Sequence, residues 1–171
     1  MTPVLLGLGS SLGDRRRNLR LAVAAIAAIP SFEMIRVSRP VVSRAVGAAR
    51  GAFLNAVVHG ATSLSPLALL DHCKRLETRL GRRPARRWAD RCIDLDILLY
   101  GDEVIRLPRL VVPHVAFAER PFALVPAIEV APDWKHPTEM RRLSSVSTEQ
   151  SGGIWRGTGL GGRLAGLRWS R

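Results

Sequence analysis

Apolar positions fall into two rhythms along most of the chain. Val4 to Leu8 is a short apolar run ending in Gly7-Leu8-Gly9-Ser10-Ser11-Leu12-Gly13-Asp14, the pattern of a strand entering a turn. Leu19, Val23, Ile26 and Ile29 then recur at helical spacing among alanines, with Asp14 placed to cap the helix and Pro30 to stop it. Extended runs follow at Phe32 to Val37 and Phe53 to Gly60, separated by a loop marked by Gly47 and Gly51, and they predict a hairpin with a long connection. Ser65 caps a second helix with Pro66 at its first position, an apolar stripe of Leu69, Cys73, Leu76 and Leu80, and Gly81 at its end. Ile93 to Tyr100 is a β-branched and leucine-rich strand closed by Gly101-Asp102.

The order strand, helix, strand, strand, helix, strand is that of a ferredoxin-like βαββαβ unit, so the expected fold is an α+β sandwich with its helices on one face of the sheet and a C-terminal extension. Phe117 to Val130 contains a further predicted helix, and Asp133 to Pro137 reads as irregular. Beyond Thr138 the periodicity is lost while Ser, Gly and Arg accumulate. Residues 1–137 are therefore expected to form one domain, and residues 138–171 a poorly ordered basic tail.

Composition narrows the partners. The 171 residues are 47% apolar, enough for one domain with a real core. No apolar run approaches the ~20 residues of a membrane helix and the start lacks the order of a signal peptide, so a soluble cytoplasmic protein is expected. Cys73 and Cys92 have no metal-ligand spacing and read as reduced, semi-buried thiols. The formal charge of +12 is carried almost wholly by arginine, Lys74 and Lys135 being the only lysines. Arginine forks match phosphate oxygens in a bidentate way, which favours a phosphorylated ligand; genome-wide drift towards arginine is the plainer source of the same excess.

The candidate chemistry lies on the last strand. Side chains alternate across a strand, so Asp94 and Asp96 share one face while Ile93, Leu95, Ile97 and Leu99 take the other. Two such carboxylates repel unless a cation lies between them, and their hard oxygens suit Mg²⁺ completed by water and phosphate oxygens; a solvent-facing edge is the alternative. Arg82 to Arg91 concentrates cations immediately before them, as a solvated loop or as a partner for transferring phosphates. Trp88 either stacks on a flat ligand or closes that loop over a core. Glu77 either holds an arginine or is a helix-surface charge.

With these residues in view the sequence resembles the 6-hydroxymethyl-7,8-dihydropterin pyrophosphokinase family of folate biosynthesis. The resemblance rests on the glycine-rich start from Gly7 to Asp14, Phe53-Leu54-Asn55-Ala56-Val57, Gly81-Arg82 with Arg87-Trp88, Arg91-Cys92-Ile93-Asp94-Leu95-Asp96-Ile97-Leu98, and Val112-Pro113-His114 followed by Arg120-Pro121-Phe122. It implies attack of a pterin hydroxymethyl oxygen on the β-phosphorus of ATP, with release of AMP, at two Mg²⁺ ions held by Asp94 and Asp96. Arg82 and Arg91 would then reach the transferring phosphates, and Glu77, Arg87, Trp88, Ile97, Arg109, His114 and Arg120 would serve the nucleotide. Phe53 and Phe122 would sandwich the pterin, with Ser43, Val46, Asn55 and Trp88 around it. The partners expected are the pterin and ATP rather than a membrane or nucleic acid, with the chain acting as a monomer.

Several positions depart from the family pattern. The usual Trp-Gly-Pro-Arg is Trp88-Ala89-Asp90-Arg91, the second arginine expected after Arg82 falls on Pro84, and the pterin loop carries Val41, Ser43, Arg44 and Ala45 where the family has an aromatic, a threonine and a proline pair. These departures leave room for a relative that has changed its acceptor, or one that binds nucleotide or nucleic acid through its arginines without catalysis.

Overall fold

A computed structural model of the chain describes residues 1–43, 52–82, 91–115, 117–146 and the backbone of 154–155. The first strand, β1 (Thr2–Ser10), leads into α1 (Arg15–Ala27), whose cap Asp14 accepts the Arg17 N–H at 2.9 Å. The helix presents Leu19, Ala22, Val23 and Ile26 to the core. β2 (Phe32–Val37) and the short β3 (Val41–Ser43) precede the long β4 (Phe53–Thr62). Ser65 caps α2 (Pro66–Arg79) by accepting from the Ala68 N–H, and Gly81, at φ 92, ends it in the left-handed region where a side chain is disfavoured. β5 (Asp94–Tyr100) follows, then the hairpin β6 (Ile105–Leu107) and β7 (Leu110–Val112), the helix α3 (Pro121–Val130), and the two-residue β8 (Ile154–Trp155).

The sheet is antiparallel in the order β5-β1-β4-β3-β8, with β2 beside β4 as well. This is the ferredoxin-like arrangement: the second strand of the hairpin lies next to the first, and the last strand closes the opposite edge. The predicted hairpin is present, but its first arm is broken in two. β2 pairs with the C-terminal half of β4 and β3 with the N-terminal half. Ser38 makes the joint, donating its N–H to the Val57 carbonyl and accepting the Val57 N–H on Oγ, both at 2.9 Å.

Two cores flank the sheet. One joins Val4, Leu6 and Leu8 of β1 and Leu95 and Ile97 of β5 to α1 and α2. The other joins Leu5, Val57, Leu98 and Leu99 to Leu124, Ala127 and Val130 of α3. Helices therefore cover both faces rather than one. Leu99 also departs from the expected face. The β1–β5 register steps from Leu6↔Ile97 to Leu5↔Leu99, and the extra residue at Leu98 shifts Leu99 to the α3 side.

Packing continues past Pro137. Leu143 is fully buried in the α3 core, its N–H bonded to the Trp134 carbonyl at 2.8 Å, and β8 adds to the free edge of β3. Cys73 is fully buried rather than semi-buried, and burial pushes its thiol up to about 12; Cys92 is half-buried, and neither is bonded. Among the described residues no helix is long and apolar enough to cross a membrane.

Candidate active site

The alternation along β5 turns Leu95 into the core and leaves Asp94 and Asp96 together on the outer face. Around them is a connected set of charges. Arg82 Nη1 lies 2.6 Å from Asp94 Oδ1, and Arg91 Nη1 lies 2.8 Å from Asp94 Oδ2, so one carboxylate is gripped by two guanidinium groups. Arg82 Nη1 also meets Glu77 Oε2. Glu77 Oε1 accepts the Leu95 N–H at 2.7 Å and Lys74 Nζ at 2.9 Å. Lys74 Nζ reaches the Leu95 carbonyl at 3.1 Å and stands 3.8 Å from Asp96 Oδ1. Three cations, Lys74, Arg82 and Arg91, thus balance three carboxylates, Glu77, Asp94 and Asp96.

The local backbone explains the positions. The Arg82 N–H donates to the Glu77 carbonyl at 3.0 Å as the chain turns at Gly81, which brings its side chain back over α2 towards β5. The Arg91 N–H donates to Ser11 Oγ at 2.9 Å, while the Ser11 and Leu12 N–H groups donate to the Arg91 carbonyl at 2.9 and 3.1 Å. His114 follows a cis peptide at Val112–Pro113 and donates its N–H to the Leu98 carbonyl at 3.0 Å, which pins it to β5.

Burial and charge tune these groups in opposite directions. Burial raises the Glu77 carboxyl above its ordinary value, opposed by the bonds from Lys74 and the Leu95 N–H. Burial also pushes Asp94 up, but the charges of Arg82, Lys74 and Arg91 outweigh it and hold the carboxyl below its usual range. For Asp96, burial and the neighbouring Asp94 charge prevail over Lys74 and push the carboxyl up. Burial lowers Arg82, yet Asp94 and Glu77 outweigh it and leave the guanidinium raised.

Lys74, Arg82, Arg91, Asp94 and Asp96 line a cleft of about 770 Å³. Apolar and amide-bearing residues line the same cleft: Phe53, Asn55, Ser43 and Phe122, together with Gly7 and Gly9. Asn55 is buried and donates Nδ2 to Ser43 Oγ at 2.9 Å. A Cβ at Gly9 would lie 3.4 Å from Asn55 Oδ1 and 3.8 Å from the Phe53 ring, so the glycine keeps a side chain out of the space between them. Arg120 Cζ lies 6.0 Å from the Phe122 ring centroid at the rim.

The donor set can be tested against Mg²⁺. Among the described residues no group of three or more His, Cys, Asp or Glu side chains converges for a metal. Two carboxylates at the edge of a wide cleft fit a cation that takes the rest of its shell from water and phosphate oxygens, and they do not fit a cation held by protein alone.

Ten of the residues singled out in the sequence line this one cleft: Ser43, Phe53, Asn55, Arg82, Arg91, Asp94, Asp96, His114, Arg120 and Phe122. Glu77 lies beneath it, 2% exposed, as the support of Lys74 and Arg82 rather than as a surface charge. The Ile97 side chain is in the core beneath α1 and α2, and Arg109 is exposed and paired with Asp71 at 2.5 Å. Neither lines the cleft. Val46, Arg87 and Trp88, with the departures at Arg44, Ala45, Pro84, Ala89 and Asp90, lie outside the described residues. Lys74 was not singled out. Its signal was spacing: one of two lysines, placed three residues before Glu77 on a helix.

Comparison with known proteins agrees with this geometry. Residues 5–132 match the 7,8-dihydro-6-hydroxymethylpterin-pyrophosphokinase (HPPK) family. The 2-amino-4-hydroxy-6-hydroxymethyldihydropteridine pyrophosphokinase of Synechocystis sp. is 35% identical over 164 residues, 94% of this chain and 84% of that protein. The protein of the same name from Aquifex aeolicus is 39% identical over 153 residues, 88% of this chain and 94% of that protein. The fold is also that of solved HPPK-DHPS chains. A crystal structure of HPPK-DHPS in complex with substrates superposes with a TM-score of 0.66 at 13% identity over 85% of this chain and 42% of the other. Plasmodium falciparum HPPK-DHPS with pteroate gives 0.67 at 14% identity over 85% of this chain and 41% of the other. The chain spans about two fifths of those longer polypeptides.

Proposed function

The chain belongs to the 7,8-dihydro-6-hydroxymethylpterin-pyrophosphokinase family, and from that membership we propose that it transfers a pyrophosphoryl group from ATP to the hydroxymethyl group of 6-hydroxymethyl-7,8-dihydropterin, releasing AMP, in folate biosynthesis. The observation that carries the proposal is the meeting, in one cleft, of the Asp94–Asp96 pair with its arginines and the Phe53–Asn55–Phe122 surface. The first suits a triphosphate and the second a planar heterocycle with polar edges.

Asp94 and Asp96 would hold two Mg²⁺ ions, which when bound neutralise the triphosphate and polarise its phosphorus atoms. Arg82 and Arg91 grip Asp94; with substrates bound, their forks would turn to the transferring phosphates and meet the charge that develops on the oxygens. His114 and Arg120, which line the same cleft, would serve the phosphate path beyond them. On the acceptor side Phe53 and Phe122 would stack on the pterin, and Asn55, fixed by Ser43, would bond its polar edge. Fixing both substrates aligns the acceptor oxygen with the β-phosphorus and so supplies much of the rate. Ile97 would serve the nucleotide through its backbone. The Leu95 N–H and carbonyl point to the outer edge of β5, and strand alternation turns the same groups of Ile97 to that edge.

A non-catalytic binder has no use for an acidic pair among its arginines and is not favoured. The test is AMP release by the Mg²⁺-supplied protein. It is expected in proportion to added hydroxymethyl-dihydropterin; no AMP from folded protein with all components present would refute the reading.

A further inference from the structure

Lys74 is the cleft cation to which the reaction described above gives no task. Its Nζ is tied by Glu77 Oε1 at 2.9 Å and the Leu95 carbonyl at 3.1 Å, which fixes it against the outer edge of β5. From there it stands 3.8 Å from Asp96 Oδ1, with both side chains open to the cleft at 42% and 41% exposure. Among the described residues no other cation lies within ion-pair distance of Asp96, whereas Asp94 has two arginines. Among the described residues Lys74 is thus the cation paired with the second carboxylate.

We propose that Lys74 makes divalent-cation loading at Asp96 depend on the nucleotide. In the ligand-free cleft the ammonium neutralises Asp96 and repels a free divalent cation. A bound triphosphate brings negative charge of its own and removes that opposition, so the cation enters with the nucleotide. The inference rests on Asp94 and Asp96 being metal ligands. The physical basis is like-charge repulsion between the fixed ammonium and a cation bound to the oxygen beside it, in a cleft less polar than bulk water. A merely structural Lys74, serving only to neutralise buried Glu77, would alter stability and leave the free-cation affinity unimproved.

The experiment titrates Mn²⁺, as a spectroscopic substitute for Mg²⁺, into the full chain by electron paramagnetic resonance, with and without an α,β-methylene ATP analogue. Wild type is expected to bind Mn²⁺ weakly alone and much more tightly with the analogue. Lys74→Gln is expected to bind Mn²⁺ alone about tenfold more tightly, shrinking the enhancement given by the analogue. Lys74→Arg keeps the charge and stays near wild type, and Lys74→Met carries the neutral arm if Lys74→Gln loses its fold by circular dichroism. Unchanged or weaker Mn²⁺ binding in a folded neutral variant overturns the proposal. Asp96→Asn separates the two readings. If it abolishes Mn²⁺ binding while the Lys74 variants match wild type, the Lys74 inference alone fails; if it binds Mn²⁺ as wild type does, the metal reading fails and takes this inference with it.

Discussion

Ser11 and Arg91 hold each other at the backbone: Ser11 Oγ accepts the Arg91 N–H, and the Ser11 N–H donates to the Arg91 carbonyl, each at 2.9 Å. The turn after β1 therefore fixes where Arg91 emerges from the arginine-rich segment, and so where its guanidinium meets Asp94. Ser11→Ala removes the acceptor and leaves the Arg91 N–H without its partner. Denaturant unfolding should record a loss of about 1 kcal/mol, and steady-state kinetics a larger fall in kcat than change in either KM. Ser11→Thr should restore both.

Glu77 is a buried carboxylate with three obligations, to the Leu95 N–H, Lys74 and Arg82. Glu77→Ala leaves two cations and a strand-edge donor uncompensated and should cost roughly 3–5 kcal/mol, read as a lower urea midpoint at unchanged m-value. Glu77→Gln, which keeps an acceptor for Leu95, should lose less.

Asn55, its amide held in place by Ser43, would bond the acceptor in the proposed reaction. Asn55→Ala should raise the KM for the pterin about 10–100-fold, the cost of losing a buried polar contact, and leave the KM for ATP within about twofold. Equal effects on both substrates would remove Asn55 from the acceptor side.

His136 is buried, stacked on Phe117 with ring centroids 5.9 Å apart, and bonded through Nδ1 to Thr138 Oγ1 at 3.1 Å. Burial holds its pKa below the ordinary value of 6.5, as burial does for His59 despite the Val130 carbonyl. The unfolded chain therefore takes up protons near that value which the folded chain refuses. The stability contribution is complete above about pH 6.5 and declines as the pH falls below it. Tm should drop between pH 7.5 and 5.5, and His136→Gln should reduce the slope.

The long periodic elements were legible before the structure because their signals agree: caps at Asp14 and Ser65, apolar stripes at helical spacing, and the glycine that ends α2. The diacid was legible from strand alternation alone, since both aspartates precede the irregularity at Leu98. What was not legible came from tertiary context. β3, β6 and β7 are three residues each, too short for periodicity to register. The bulge that moves Leu99 to the second core has no local mark. Glu77 reads either as holding an arginine or as a helix-surface charge, and only the approach of β5 buries it and makes Lys74, three residues before it, the neighbour of Asp96.

The central claim, that the strand-borne acids of β5 serve pyrophosphoryl rather than phosphoryl transfer to a pterin alcohol, is tested most directly by ³¹P NMR of the complete reaction mixture. The predicted spectrum contains AMP and a pterin diphosphate in equal amounts with wild type, and ATP alone with a folded Asp96→Ala. ADP as the nucleotide product, or undiminished turnover by Asp96→Ala, would contradict it.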